Sequence, residues 1–72
     1  MDFEEIYIKI GKNIKKLREK SSLTQEKLAE KAGISQDFLG KIEVGINKPG
    51  LKSLIKLSKA LNIPLKKIFD FK

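Results

Sequence analysis

The stretch QEKLAEKAGISQDFLGKIEV, residues 25–44, reads as two short helices joined by a sharp turn. Leu28 and Ala32 stand four apart and share one helix face, with Ala29 beside them as a small residue that permits close approach. Ile34, Leu39 and Ile42 supply the matching apolar set after the turn. Gly33 falls where the first helix has to stop, and glycine adopts the positive φ of such a position without steric cost. Ser35 follows as a candidate N-cap, its hydroxyl within reach of the amide of Asp37 or Phe38. Only Gly33-Ile34-Ser35 remains as a connection, the length that a helix-turn-helix uses.

Toward the N-terminus, Asp2 followed three residues later by Glu5 resembles a capping box. Ile6, Ile10, Ile14 and Leu17 recur at helical spacing, with lysines 9, 12, 15, 16 and 20 mostly elsewhere. This predicts an amphipathic helix 1 over about residues 3–20, its lysine stripe a solvated face and Gly11 a tolerated weak point. Thr24 is the expected N-cap of helix 2, which runs from Gln25 to about Ala32. Helix 3 runs from Gln36 to about Val44 and stops at Gly45. After a loop turned by Pro49-Gly50, helix 4 from about Leu51 to Leu61 places Leu51, Leu54, Leu57, Ser58 and Leu61 on one stripe. Asn62 ends it, and Pro64 suits the first turn of a helix 5 over about 64–70, with Leu65, Ile68 and Phe69 facing inward. No segment alternates with period two. The expectation is an all-α fold of five short helices, one domain over residues 1–72.

With no cysteine and no histidine, disulfides and the usual zinc sets drop out, and neither a metal nor a cofactor is expected. A catalytic triad would need less common partners, and glycines 11, 33, 40, 45 and 50 are too scattered to cradle a phosphate. An enzyme is therefore not expected. No apolar run approaches the ~20 residues that span a bilayer, and the acidic start MDFEE lacks the charge order of a signal peptide. A cytoplasmic protein without a membrane partner is the expectation. The net charge of +7, from 16 basic and 9 acidic residues, attracts polyanions, nucleic acid first.

In a helix-turn-helix, the N-terminal residues of the second helix reach base edges in the major groove of double-stranded DNA. Here they are Ser35, Gln36 and Asp37, with Lys41 on the same face one turn on. Gln36 suits adenine N6 and N7, and Lys41 suits guanine O6 and N7. Asp37 can accept from cytosine N4 or serve the helix dipole, and the dipole is favoured because a carboxylate near phosphates is costly. Gly40 points to a close approach, either of DNA or of a neighbouring helix. Gln25, in the first turn of helix 2, is a phosphate candidate, as are Asn47 and Lys48 in the loop after helix 3.

Taken together, LTQEKLAEKAGIS, FLGKIEVG, NKPG and LIKLSKALNIPLKKIF give residues from about 10 to 69 a strong resemblance to the lambda-repressor-like, Cro/C1-type (XRE) family of bacterial and phage regulators. The resemblance implies a sequence-specific transcriptional regulator that binds a palindromic operator as a homodimer, with helix 3 in the major groove. It also implies a structural ion pair between Arg18 and Glu43 that fixes helix 3 against helix 1. Dimer contacts would come from the loop after helix 3 and from the C-terminal helix, with Ile46, Ile55 and Phe71 as candidates and Phe69 assigned to the core. The chain departs from the family pattern at Val44, where a polar or basic residue is usual, at Gly50 in place of a capping serine, and at Ser58 in place of alanine. No second domain to bind a small-molecule effector is expected. That resembles restriction-modification controller proteins, small phage or mobile-element repressors, and antitoxins. The alternative is a helical protein-interaction module, a coactivator-like adaptor or an antitoxin, with weak or no operator reading.

Overall fold

Asp2 Oδ1 accepts the amide of Glu5 at 2.8 Å and so starts α1 (Phe3–Lys20). The structure, a computed structural model, describes residues 2–71. Thr24 Oγ1 accepts from the Lys27 amide at 3.1 Å to open α2 (Gln25–Ala32), and Ser35 Oγ accepts from Phe38 at 3.0 Å to open α3 (Gln36–Glu43). α4 (Leu51–Ala60) begins at Gly50 without a side-chain cap. A short 3-10 helix, Leu65–Phe69, closes the chain.

Among the described residues, all four α-helices end the same way. The chain leaves each through a residue in the left-handed region: Ser22, Gly33, Gly45 and Asn62. An apolar residue follows, and its amide reaches back to a carbonyl five residues earlier: Leu23 to Arg18, Ile34 to Ala29, Ile46 to Lys41 and Ile63 to Ser58, all within 2.9–3.1 Å. This double-bonded stop satisfies helix-end carbonyls and aims the apolar side chain back at the helix it leaves. Leu23, Ile34 and Ile63 accordingly pack on the core, but Ile46 stays 69% exposed.

Ile10 and Ile14 of α1, Leu28, Ala29 and Ala32 of α2, Leu39 and Ile42 of α3, and Leu54 and Leu57 of α4 meet in one core, completed by Leu61 and Ile68. α1 packs on α3, α2 on both α3 and α4, and the 3-10 helix between α1 and α4. Gly11, expected to be only a weak point, sits at the crossing of α1 and α3. A Cβ there would overlap the carbonyl oxygen of Ile42 and press on that of Glu43. The two backbones meet because glycine lets them.

Among the described residues four helices are α-helical, not five; the last element is the 3-10 helix. With three residues per turn, Leu65 and Ile68 fall on one line and the next residue swings away from it. Ile68 is fully buried, whereas Phe69, expected in the core, is 43% exposed. Phe71, expected at a dimer interface, packs half-buried against the core of its own chain, beside Lys12 and Asn13 of α1. Leu51, expected on the buried stripe of α4, is the first residue of that helix and is 60% exposed. Asn13 was not singled out by its pattern. It lies buried in the apolar stripe of α1, and its Nδ2 donates to the carbonyls of Lys67 and Ile68 at 2.8 and 2.7 Å, tying the 3-10 helix to α1.

Gly11→Ala separates packing from propensity. Helix propensity alone would stabilise by about 1 kcal/mol, whereas the overlap with Ile42 forces a backbone shift costing about 1–3 kcal/mol. Urea unfolding followed by circular dichroism is expected to show a lower midpoint for the alanine variant; a higher one would reject the close approach.

Candidate nucleic-acid interface

α3 has eight residues, too few to hold a helix unaided in water. Its inner side, Leu39 and Ile42, is buried, and its last residue, Glu43, is only 4% exposed. Burying a carboxylate is costly unless it is paired and hydrogen-bonded. Arg18 of α1 supplies that pairing in bidentate form: Nε donates to Glu43 Oε2 at 2.7 Å and Nη2 to Oε1 at 3.1 Å. The third arm of the guanidinium, Nη1, donates to the carbonyl of Leu23 at 2.8 Å. The hydrogen bonds that Arg18 donates to Glu43 hold its pKa above the ordinary value, against a lesser opposing effect of burial.

Gln25 joins the same carboxylate, its Nε2 donating to Glu43 Oε1 at 3.0 Å. The single glutamate thus ties α1, the α1–α2 loop, α2 and α3. Gln25 is thereby aimed across the front of α3, where its amide lies over Gly40, with Oε1 3.4 Å from where a Cβ would stand. At Gly40 the nearest groups are thus side-chain atoms of Gln25 at ordinary van der Waals distance. The second amide hydrogen of Gln25 remains for an external acceptor.

The outward side of α3 carries Gln36, Asp37 and Lys41, all exposed. With Gln25 and Gly40 they line one open, shallow depression. Asp37 Oδ2 lies 3.1 Å from Lys41 Nζ, one helical turn away. The oxygen of Ser35 accepts the capping bond, and its hydroxyl hydrogen remains as a donor toward a ligand. Beyond α3, Lys48 is exposed with its Nζ 4.0 Å from Glu4 Oε1, and Asn47 is half-buried. Ile46 and Ile55 are 69% and 36% exposed. The bond from Gln25 to Glu43 escaped sequence reasoning, since nothing in the spacing of residues 18 apart marks it. Among the described residues no helix is long and apolar enough to cross a membrane.

A family model described as Helix-turn-helix matches residues 14–68. The chain belongs to this family of DNA-binding transcriptional regulators, in its Cro/C1-type branch. Control protein C.SmaI of Serratia marcescens is 35% identical over 68 residues, covering 94% of this chain and 77% of that protein. The HTH-type transcriptional regulator YqaE of Bacillus subtilis is 37% identical over 55 residues, covering 76% of this chain; the match spans about half (47%) of YqaE. The fold is similar to the crystal structure of the restriction-modification controller protein C.AhdI from Aeromonas hydrophila, with a TM-score of 0.86 and 32% identity over 88% of this chain and 96% of that one.

Arg18→Ala would leave Glu43 buried and unpaired, a loss of about 3–5 kcal/mol, comparable with the whole stability of a small domain. Circular dichroism in urea is expected to show a chain largely unfolded or with its midpoint sharply lowered. Asp70→Asn, which removes an exposed pair with Lys67, is expected to change stability by no more than about 0.5 kcal/mol. Comparable effects from the two would reject the central role of the buried pair.

Proposed function

We propose that this chain is a cytoplasmic transcriptional regulator that grips a palindromic operator as a homodimer, with α3 in the major groove. The carrying observation is the division of labour on α3. Its inner side is held by Leu39, Ile42 and Glu43, while Gln36, Asp37 and Lys41 project outward, relieved of any part in the core. A rigid helix with a polar outer side is what base reading requires, since the major groove admits a helix and offers donors and acceptors along its floor. Gln36 reads adenine and Lys41 guanine; Ser35 adds one donor at the start of the helix. Gln25, oriented by Glu43, presents its remaining N–H to a phosphate, and Asn47 and Lys48 grip the backbone on the far side of α3.

The dimer follows from surface chemistry and from size. One half-site offers few base pairs, so specificity calls for two copies, with recognition helices about 34 Å apart. Ile46 favours this reading, because it is the residue of four equivalent helix-end positions that finds no cover within the chain. Ile55 stands on the next element, four residues after exposed Leu51 and so on the same side of α4. The similarity to C.SmaI and C.AhdI favours a regulator of the restriction-modification controller type.

Gln36→Ala is expected to cost about 1–3 kcal/mol on the preferred operator and little on unrelated duplex, whereas Lys48→Ala weakens every duplex alike and lowers the salt dependence. Fluorescence anisotropy titrations at several salt concentrations measure both. Equal losses on all duplexes from both variants would reject base reading and favour a protein-interaction module.

A further inference from the structure

We infer that Asp37 and Lys41 act as one composite reader, which senses on which strand a base pair carries its keto group and prefers G·C. The inference rests on the DNA-binding reading above. Two observations carry it. Asp37 Oδ2 and Lys41 Nζ are 3.1 Å apart, and both side chains are accessible, 78% and 48% exposed. They also line the same depression as Gln25 and Gln36, on the side of α3 opposite Leu39 and Ile42, so the pair faces whatever that helix docks against.

The pair is a donor beside an acceptor. A lysine ammonium has three donors and no acceptor, and a carboxylate only accepts. Across the major groove a G·C pair shows N7 and O6 acceptors and then the N4 amino donor. Ammonium over N7 and O6, with carboxylate beside N4, satisfies every group. The spacing matches as well, since O6 and N4 are partners in a hydrogen bond of about 2.9–3.0 Å. Reversal to C·G puts the amino group against the ammonium and O6 against the carboxylate, two like contacts. A·T fails in the same way, with N6 against ammonium and O4 against carboxylate. T·A is the intermediate case. Its O4 and N6 meet the right partners, but a methyl group replaces N7 beside Lys41 and an acceptor N7 lies past Asp37. The order of preference at this position is therefore G·C, then T·A, with A·T and C·G last.

Pairing also removes the objection to a carboxylate close to phosphates. With Lys41 at 3.1 Å the two side chains carry no net charge into the groove, so Asp37 costs little on the right base pair and much on a wrong one. Its contribution is rejection rather than grip.

The test begins with selection from a randomised duplex pool by the full chain, followed by titration of the four base pairs at each half-site position. One position is expected to rank G·C first and T·A second, with A·T and C·G about 10- to 100-fold weaker. Asp37→Asn keeps the shape, but its amide can donate or accept, so the penalty on A·T and C·G is expected to shrink about tenfold while other positions keep their ranking. An Asp37 that serves only the helix dipole would make Asp37→Asn weaken all four duplexes by one common factor. That result, or a half-site without such a position, overturns the inference and leaves operator binding intact. Failure of the unaltered chain to enrich any sequence overturns the DNA reading itself.

Discussion

A carboxylate with almost no access to water holds this molecule together. Glu43 accepts from Arg18 twice and from Gln25 once, and these groups stand on three helices. Removal of Arg18 would strand the Glu43 charge in a poorly solvated place, whereas Gln25, being neutral, adds a hydrogen bond and no charge. Its worth lies less in net energy than in geometry. Apolar contacts at Leu39 and Ile42 would tolerate a small rotation or slide of α3, whereas a bidentate guanidinium–carboxylate pair does not. The close crossing at Gly11 works to the same end, bringing the backbones of α1 and α3 into contact one helical segment away. Together they fix an eight-residue helix that could not persist alone.

Fixing α3 from behind leaves its front for chemistry. The residues that face outward there have side chains anchored by nothing deeper than one another, and the depression they line is shallow and open, suited to the edge of a large polyanion rather than to an enclosed small molecule. A net charge of +7 adds long-range attraction that carries no sequence information. Affinity and selectivity therefore draw on different parts of the chain: lysines spread over the surface for the first, a few side chains on one short helix for the second.

The helix ends show how local chemistry and global shape cooperate. Each α-helix stops through a left-handed residue and returns an apolar side chain toward itself, twice with glycine and once each with serine and asparagine. Three of these side chains find cover in the core, and Ile46 does not. An element of the folding pattern has thus been left pointing at solvent beside the recognition helix, where a second copy of the chain would give it cover.

Most of the frame was legible from residues 25–44 outward. Caps at Asp2, Thr24 and Ser35, stops at Gly33, Gly45 and Asn62, and the apolar periodicities of α1 to α4 are local features, set by neighbours within a turn or two, and a linear pattern reports them faithfully. The placement of Ser35, Gln36, Asp37 and Lys41 on one helix start follows from the same local rules. What escaped was non-local. The 3-10 helix differs from an α-helix by a fraction of a residue per turn, enough to turn Phe69 outward, and it packs between α1 and α4. Asn13 looks like a fault in an apolar stripe until the carbonyls of Lys67 and Ile68 arrive from the other end of the chain. Gly11 looks like a weak point until α3 crosses it, and Gln25 looks like a lone surface residue until Glu43 meets it. Periodicity and capping are properties of a segment; hydrogen bonds and close approaches between segments exist only once the helices have been packed.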